Sequence, residues 1–411
     1  MNNFRQLLET LIHQCDDGAS TVLATIVQVS GSSYRRPGAM MLLTQENQRC
    51  GMISGGCLEK DLALRAWDLT ENGSRVVAYD TRGRLQQPAG EFGAGCEGVV
   101  YVLLERLTPE NWLLDLLNSI VLDRQPRRTA TVFRSTGSAA DTEGVHVGRR
   151  FLENRADKDN DGFASGQLSS AAAIQMIQFH LNRNDWESET FSLRLHNEQS
   201  GWTDILFETI APIPRLVVFG AGDDALPLVA IAQAAGWDTL VWDKRSTLLD
   251  PNRFASPRSS HLPSAGKTVC SPALYAIVNT MSLTAADAVV LMTHDLNDDA
   301  TLLCQLVDQP VSYIGLLGPK RRTAKIVEEL YRRGSLPDNE TLGKVRTPIG
   351  LDIGADGPEE IAIAILAEII SHRNGRAGGP LNARQLSINQ AAPSERASWN
   401  YGVRESEAVR S

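Results

Sequence analysis

Apolar residues recur with two different periods in the N-terminal part of the chain. An amphipathic helix is predicted first, because its apolar face repeats at helical spacing through Phe4, Leu7, Leu8, Leu11, Ile12 and Cys15. Runs rich in β-branched residues then predict short strands over 21–29, 40–44, 51–54, 76–79 and 99–104. Helical spacing returns between them at Leu58, Leu62, Ala66 and Leu69. The mixture predicts an N-terminal α+β domain.

The second half of the chain alternates strand and helix in the manner of a parallel sheet. Apolar runs predict strands over 216–219, 239–242, 288–292 and 311–316, and helical patterns cover 225–235 and 358–372. We therefore expect an α/β protein, with a Rossmann-like doubly wound domain over 209–376 after an N-terminal domain over 1–208. The first domain divides into a motif-bearing core over 10–107 and a variable segment over 108–208. The polar residues 377–411 predict a disordered tail.

Composition and charge argue against several classes of function. The chain has 411 residues, 42% of them hydrophobic, and a formal net charge of −9. The charge balance and the lack of a dense basic stripe argue against nucleic-acid binding. No apolar run reaches membrane-spanning length, and the first helix is too polar for a secretory signal. The 6 scattered cysteines form no CxxC pair, so we expect reduced thiols in a cytoplasmic protein rather than structural zinc.

A strand, two glycines, a cysteine and a helix start follow one another at 51–58. Cys57 is expected at the helix N-terminus, where unpaired amides and the helix dipole lower a thiol pKa. Gly55 and Gly56 would let a ligand approach the backbone closely. The pattern indicates a binding site around Cys57. A buried cysteine that fills a tight corner is the alternative.

A second candidate site is the turn from Gly220 to Ala225, which has the form G-x-G-x-x-A between a strand and a helix. In this context Gly220 and Gly222 permit a tight turn next to a phosphate, and Asp243 after the next strand is placed to bind a ribose diol. Asp223 and Asp224 add negative charge where a pyrophosphate would bind. We therefore expect a modified or weak dinucleotide site.

The ends of later strands carry further polar groups. His294 follows the strand over 288–292, and the basic residues Lys320, Arg321 and Arg322 follow the strand over 311–316. Open α/β sheets bind ligands at this edge, so the arginines are candidates for holding an anion. A solvated basic helix turn and a structural histidine are the alternatives.

Several stretches, in this order, resemble motifs of the XdhC/CoxI family, the molybdenum-cofactor chaperones of xanthine dehydrogenase and related enzymes. They are residues 31–39, 51–59, 95–98, 214–222, 313–318 and 347–354. The resemblance covers residues 10–107 and 205–375. The middle segment and the tail carry little of it.

The resemblance implies an accessory protein rather than an enzyme. Such a protein would bind the molybdenum cofactor, a molybdopterin with or without a nucleotide extension, and protect it from oxidation. It would support sulfuration of the cofactor by a cysteine desulfurase and deliver the cofactor to an apo molybdenum hydroxylase. A homodimer is also implied.

The resemblance assigns cofactor contacts to Cys57 and Cys96, with Cys57 as the contact to the metal, because thiolate suits a soft metal site. Where the family often has a small residue, this chain has Glu97, which weakens the assignment of Cys96. The loop residues Tyr34, Arg35 and Arg36 lie in a matching motif, and the two arginines are candidates for holding the cofactor phosphate. A solvent-exposed turn is the alternative for that loop.

Two other functions stay open. An NAD(P)-dependent oxidoreductase would use the glycine turn and Asp243, with Lys244 and Arg245 next to a 2′-phosphate, although no catalytic constellation can be placed beside it. A thiol or sulfur-transfer enzyme would use Cys57 and Cys96.

Overall fold

The structure, a computed structural model, describes residues 4–81, 98–136, 146–153, 177–178, 180–181, 191–196, 202–254, 267–270, 274–335 and 342–384. The chain divides into two compact units between Ile213 and Pro214. The boundary predicted between residues 208 and 209 falls inside the last strand of the first unit, which continues to Ile210. Within the described ranges, no helix is both long enough and apolar enough to cross a membrane.

The first unit contains two antiparallel sheets. The helices whose bounds the structure describes in this unit are α1 (Phe4–Asp16), α2 (Cys57–Leu69) and α3 (Trp112–Asp123). Sheet A has the order β3-β2-β1-β5-β4, built from β1 (Thr21–Gly31), β2 (Met40–Leu43), β3 (Arg49–Gly51), β4 (Arg75–Asp80) and β5 (Gly98–Leu107). Sheet B has the order β7-β6-β9-β8, built from β6 (Arg127–Ser135), β7 (Arg150–Leu152), β8 (Phe191–His196) and β9 (Trp202–Ile210).

Sheet A is covered on both faces. Side chains at alternate positions of β1, such as Val22, Ala24 and Ile26, pack with α2 in one core cluster. The opposite face contacts α1 and α3 in a second cluster and sheet B in a third, which contains Val27 and Phe133. The first unit is thus an α+β domain in which sheet A fixes the start of α2.

A buried ionic cluster lies between the two sheets. Arg150 on β7 donates to Glu105 on β5 with an N–O distance of 2.5 Å, and both side chains are 5% exposed. Its guanidinium also lies 4.2 Å from the centre of the Trp112 ring. Glu208 on β9 is buried beside them, and neither of its carboxyl oxygens has a hydrogen-bond partner among the residues that the structure describes. Burial raises the pKa of Glu208 to about 7, although Arg150 partly opposes the rise.

The raised pKa of Glu208 makes the free energy of unfolding depend on pH in a specific way. Because its folded pKa of about 7 lies above the ordinary value of 4.5, the native state binds the extra proton and loses stability as pH rises between these values. The loss is about 3 kcal/mol between pH 5 and pH 8. In urea unfolding, Glu208→Gln should remove this loss, whereas Glu71→Gln at an exposed position should not. The same pH slope in Glu208→Gln as in the wild type would contradict the assignment.

The second unit is built around one parallel sheet of 6 strands in the order β12-β11-β10-β13-β14-β15. The strands are β10 (Arg215–Phe219), β11 (Asp238–Asp243), β12 (Lys267–Cys270), β13 (Asp287–Leu291), β14 (Tyr313–Leu316) and β15 (Val345–Arg346). The α-helices with described bounds in this unit are α4 (Ala225–Ala234), α5 (Leu274–Thr280), α6 (Leu296–Leu306), α7 (Lys320–Arg332) and α8 (Pro358–Arg373). Short 3₁₀ turns occupy Ser246–Leu248, Pro251–Phe254 and Leu381–Ala383.

Helices cover both faces of this sheet. Leu216 and Val218 of β10 pack with α4 and α8 on one face, and Val217 and Phe219 pack with α6 and α7 on the other. Burial on both faces explains why the strands are continuous apolar runs. The doubly wound sheet and the preceding α+β domain confirm the predicted fold class.

Candidate functional site

The strands of sheet A bring two glycine-containing stretches and Gly98 toward one end of the sheet. Gly31, the last residue of β1, pairs with Gly98, the first residue of β5. Gly51, the last residue of β3, pairs with Met41 near the start of β2. Because β1 and β3 run toward this end of the sheet, and β2 and β5 run away from it, the loop over 32–39, the turn over 52–56 and Gly98 all lie toward this end, which we call the glycine edge.

Gly98 and Gly51 each allow a neighbouring backbone segment to approach closely at the glycine edge. A Cβ atom on Gly98 would lie 2.3 Å from the carbonyl oxygen of Ser32, and one on Gly51 would lie 2.5 Å from that of Met40. Neither position has room for a side chain, since real Cβ atoms do not approach backbone oxygens so closely. Gly98 thus meets the backbone of the loop that begins at Ser32, and Gly51 meets the backbone at the start of β2.

Gly98→Ala is expected to destabilise the first unit by about 1–3 kcal/mol, because the added methyl group overlaps backbone atoms. The free energy of unfolding in urea measures the effect. Gly55→Ala is the matched control, because a Cβ atom there meets nothing within 4 Å. Equal stability of the two variants would contradict the close packing at Gly98.

The start of α2 is organised by Glu59, whose carboxylate is 5% exposed. It accepts hydrogen bonds from the backbone N–H groups of Ile53 at 3.0 Å, Ser54 at 2.5 Å and Gly56 at 3.0 Å. The Ser54 hydroxyl donates to the same carboxylate. The Ser54 oxygen in turn accepts from the N–H groups of Gly56 and Leu58, both at 3.2 Å. A capping network therefore fixes the turn directly before Cys57.

Two expectations from the sequence, the extent of the strand over 51–54 and the unpaired amides at the helix start, are wrong because of this network. The predicted strand over 51–54 ends at Gly51, because the amides of Ile53 and Ser54 turn inward to Glu59. The amides of Gly56 and Leu58 at the helix start are paired rather than unpaired. Burial works to raise the pKa of Glu59, but the hydrogen bonds from Ser54 and the backbone outweigh it and hold the pKa below its ordinary value.

The outer side of the turn is open. A Cβ atom on Gly55 or Gly56 would meet nothing within 4 Å, and Gly56 has a φ of +116°, which favours glycine. Tyr34 is 61% exposed and Met52 is 44% exposed, although both are large and apolar. Cys57 is the first residue of α2 and follows this turn directly. The backbone before it is thus accessible to a ligand.

The loop over 32–39 carries the other predicted residues of this site. Gly38 donates to the carbonyl of Ile26 at 2.8 Å, and Ile26 donates to that of Ala39 at 2.9 Å, so the loop returns onto β1. Arg35 is half-buried and Arg36 is exposed. The glycine edge therefore includes Tyr34, Arg35 and Arg36 together with Gly55, Gly56 and the backbone of Cys57, whereas Cys96 lies outside the described residues.

Two other cysteines of this unit are poor candidates for a reactive thiol. Burial raises the pKa of Cys15 and of Cys50. A raised pKa keeps a thiol protonated and unreactive. Within the described part of the chain, no group of at least 3 His, Cys, Asp or Glu side chains is arranged to hold a metal ion.

In the second unit, the turn after β10 lies at the carboxyl edge of the sheet. Gly220 has a φ of +119°, and a Cβ atom there would lie 2.3 Å from the carbonyl oxygen of Met292. A Cβ atom on Gly222 would lie 2.6 Å from the Asp224 carboxylate. The turn thus has the predicted tight form, with an acidic side chain lying against it. The switch in strand order between β10 and β13 occurs here, as in nucleotide-binding α/β sheets.

Both oxygens of Asp243 are engaged. The N–H of Ala221 donates to Oδ2 at 2.8 Å, and the Arg245 guanidinium donates to Oδ1 at 2.9 Å and to Oδ2 at 2.8 Å. Burial works to raise the pKa of Asp243, but the hydrogen bonds from Arg245 and Ala221 outweigh it and lower the pKa. A ribose diol at this carboxylate would compete with Arg245.

Ion pairs hold the remaining predicted residues of this edge. His294 Nε2 lies 2.9 Å from Asp224, and Arg322 donates to the buried Asp299 at 2.7 Å. Lys244 after β11 lies 3.1 Å from Asp295 and 2.6 Å from Asp298, both after β13. Gly220, Gly222, Asp243, His294 and Arg322 therefore share one sheet edge, where each acidic group named here has a basic neighbour.

Comparison with known proteins identifies the family. The model of the XdhC and CoxI family matches residues 15–80, and the model of the XdhC Rossmann domain matches residues 216–369. A Bacillus subtilis protein named as a probable xanthine dehydrogenase subunit is 32% identical over 376 residues, which cover 91% of this chain and 98% of that protein. The chain belongs to the XdhC and CoxI family.

Two further relatives of this XdhC-family chain span nearly its whole length. The Escherichia coli molybdenum cofactor insertion chaperone PaoD is 21% identical over 374 residues, 90% of this chain and 89% of that protein. A crystal structure described as a xanthine dehydrogenase from Bacillus halodurans is 28% identical, covers 93% of this chain and 99% of that chain, and has a TM-score of 0.61. The similarity thus extends over both units.

Sequence reasoning missed the role of Glu59. The residue lies in the motif over 51–59, and its position three residues into α2, after a serine and two glycines, is the signal of a capping carboxylate. It is the side chain that fixes the backbone next to Cys57.

Proposed function

We propose that this chain binds the molybdenum cofactor as cargo at the glycine edge, protects it and delivers it to an apo molybdenum hydroxylase of the xanthine dehydrogenase type. The observation that carries the proposal is that the loop over 32–39, the turn over 52–56 and Gly98 lie toward one end of sheet A, with an open glycine turn before Cys57. The names of two relatives, a cofactor insertion chaperone and a xanthine dehydrogenase subunit, support the same role.

The residues of the glycine edge suit this cargo chemically. The cofactor ring system would lie above Gly55 and Gly56, where an added Cβ atom meets nothing within 4 Å, and Tyr34 and Met52 expose apolar surface for it to contact. Arg35 and Arg36 are candidates for the phosphate of the cofactor. Cys57 is the proposed thiolate contact, because soft sulfur ligands suit a dithiolene-bound metal. Cys96 is the second proposed cysteine.

The finer steps are part of the same proposal. The cofactor would receive its terminal sulfur from a cysteine desulfurase while it is held by this chain, and the chain would act as a homodimer in the cytoplasm. The cofactor would be molybdopterin, with or without a nucleotide. A carrier needs reversible contacts and no catalytic constellation of its own.

The direct test is a binding experiment with released cofactor. Cofactor freed anaerobically from a denatured molybdoenzyme is mixed with the chain and separated by gel filtration. We expect molybdenum and oxidised pterin fluorescence to elute with the protein. The apo form of a known molybdoenzyme is the positive control and should retain both the molybdenum and the pterin. If this control retains them and neither elutes with the chain, the proposal fails.

The second unit is proposed as a supporting domain rather than an NAD(P) site. Asp224 lies against the turn where a pyrophosphate would bind, and Arg245 occupies the Asp243 carboxylate. We expect no NADH binding in calorimetric titration up to about 1 mM. Asp224→Asn should strengthen any residual binding, because it removes negative charge from the turn. Micromolar NADH binding by the wild type would instead favour the oxidoreductase.

A further inference from the structure

Two buried polar side chains of sheet B lie side by side without partners. Thr129 of β6 and Glu208 of β9 are directly opposite in the strand pairing, so both side chains leave the sheet on the same face. Thr129 is 0% exposed and Glu208 is 2% exposed. Among the residues that the structure describes, neither the Thr129 hydroxyl nor either carboxyl oxygen of Glu208 has a hydrogen-bond partner. Unpartnered oxygen atoms of two neighbouring side chains therefore meet in the interior.

This face of sheet B is turned toward sheet A. Leu206 lies two residues before Glu208 on β9 and packs with Val27 of β1. Because side chains alternate between the two faces along a strand, Glu208 points into the same layer between the sheets, and so does Thr129 opposite it. The unpartnered oxygens thus lie between two sheets and away from the surface.

Arg150, the basic residue beside Glu208, bonds to other groups. Its Nε donates to Glu105 at 3.2 Å and its Nη2 at 2.5 Å, one to each carboxyl oxygen. Its Nη1 donates to the Thr131 hydroxyl at 2.7 Å, and its guanidinium lies over the Trp112 ring. Arg150 and Glu105 neutralise each other. An ionised Glu208 therefore leaves this cluster with one uncompensated negative charge.

The other described charges of this region do not supply the missing cation. Arg128 directly precedes Thr129 on β6 and so points to the opposite face of sheet B. There it donates to the carbonyl of Leu181 at 3.4 Å and lies 3.9 Å from Glu153. Of the charged groups that the structure describes, Arg150 and Glu105 are those that act on Glu208.

The chemistry of the two side chains suits a small hard cation. A buried carboxylate without a counter-charge is costly, and a bound cation removes that cost. Hard cations prefer oxygen ligands, which the Glu208 carboxylate and the Thr129 hydroxyl supply. A charge of +1 balances the cluster of Arg150, Glu105 and Glu208, whereas a divalent ion would leave it positive. Electroneutrality thus selects a monovalent ion.

We propose that Glu208 and Thr129 bind an alkali-metal cation between the two sheets of the first unit, with water supplying further ligands. The cation would join β6 to β9 through their side chains and would offset part of the loss of stability expected for the ionised carboxylate. The inference does not depend on cofactor binding. The neighbouring Glu105 pairs with Leu23 near the start of β1, whereas the glycine edge lies at the other end of that strand.

Urea unfolding of the full-length chain in different chlorides at pH 8 tests this inference. Sodium chloride and potassium chloride are compared with tetramethylammonium chloride, whose cation is too large for a buried site. Equal ionic strength keeps general screening constant. We expect the midpoint to be higher by about 0.5 M urea or more in at least one alkali-metal salt than in the organic salt. Equal midpoints in all three salts would mean that a proton or a water molecule occupies this place, and would overturn the proposal.

Three variants locate the effect. Glu208→Gln keeps the shape of the side chain without its charge and should abolish the difference between salts. Thr129→Val removes one oxygen ligand and should reduce the difference by about half or more. Thr209→Val is the matched control, because Thr209 is the next residue of β9, points to the opposite face and also has a hydroxyl without a described partner. A difference between salts that persists in Glu208→Gln would place the cation elsewhere and overturn the inference.

Discussion

Cys57→Ala should weaken binding of the molybdenum cofactor by at least about 100-fold, since it removes the proposed sulfur contact at the open end of the glycine edge. Cys57 is the first residue of α2, next to backbone that is fixed by the capping network. The loss should appear in gel filtration as molybdenum and pterin that no longer elute with the protein. Stability in urea should change little.

Two controls separate a specific contact from a general effect. Cys304→Ala changes a half-buried cysteine of the second unit and should leave binding unchanged. Cys57→Ser keeps the size of the side chain but replaces soft sulfur with hard oxygen, so it should behave like the alanine variant. Retention of full binding by Cys57→Ser would contradict a thiolate contact.

Glu59→Ala should destabilise the first unit by about 3 kcal/mol and reduce cofactor binding as well. It leaves the buried amides of Ile53 and Ser54 without their acceptor, and each unmade hydrogen bond of this kind costs about 1–3 kcal/mol. The turn before Cys57 would lose its fixed conformation. Urea unfolding gives the stability, and gel filtration with cofactor gives the binding.

Glu59→Gln distinguishes the charge of this group from its shape, because the amide oxygen still accepts hydrogen bonds. The folded pKa of Glu59 is lowered, so its contribution to stability is present above the ordinary value of 4.5 and is lost as pH falls through the folded pKa. Glu59→Gln should therefore remove this part of acid destabilisation. Glu71→Gln, an exposed substitution, should leave it unchanged. Identical acid sensitivity of Glu59→Gln and the wild type would contradict this role of the carboxylate.

Local pattern predicts the fold class and four of the six strands of the parallel sheet. The apolar runs of β10, β11 and β13 are continuous because both faces of the parallel sheet are buried, and such runs are readable without tertiary information. The glycine turn at Gly220 was equally readable, because the close approach of Met292 requires glycine there. The strand predicted over 51–54 was wrong in extent, since side-chain capping by Glu59 competes with strand pairing.

The sites were only partly predictable. The residues of the glycine edge were named from motifs, but their assembly depends on pairing between residues far apart in the chain, such as Gly31 and Gly98. The engagement of Asp243 by Arg245 likewise follows from side-chain geometry that spacing alone does not show.

Delivery of cofactor is the most direct test of the central claim. The chain is loaded with molybdenum cofactor under anaerobic conditions, freed of excess by gel filtration and mixed with an apo molybdenum hydroxylase of the xanthine dehydrogenase type. The account predicts that the loaded chain restores hydroxylase activity faster and to a higher level than the same amount of free cofactor. The Cys57→Ala variant, taken through the same loading and gel filtration, should restore no activity. Activation by free cofactor that equals activation by the loaded chain would contradict the account.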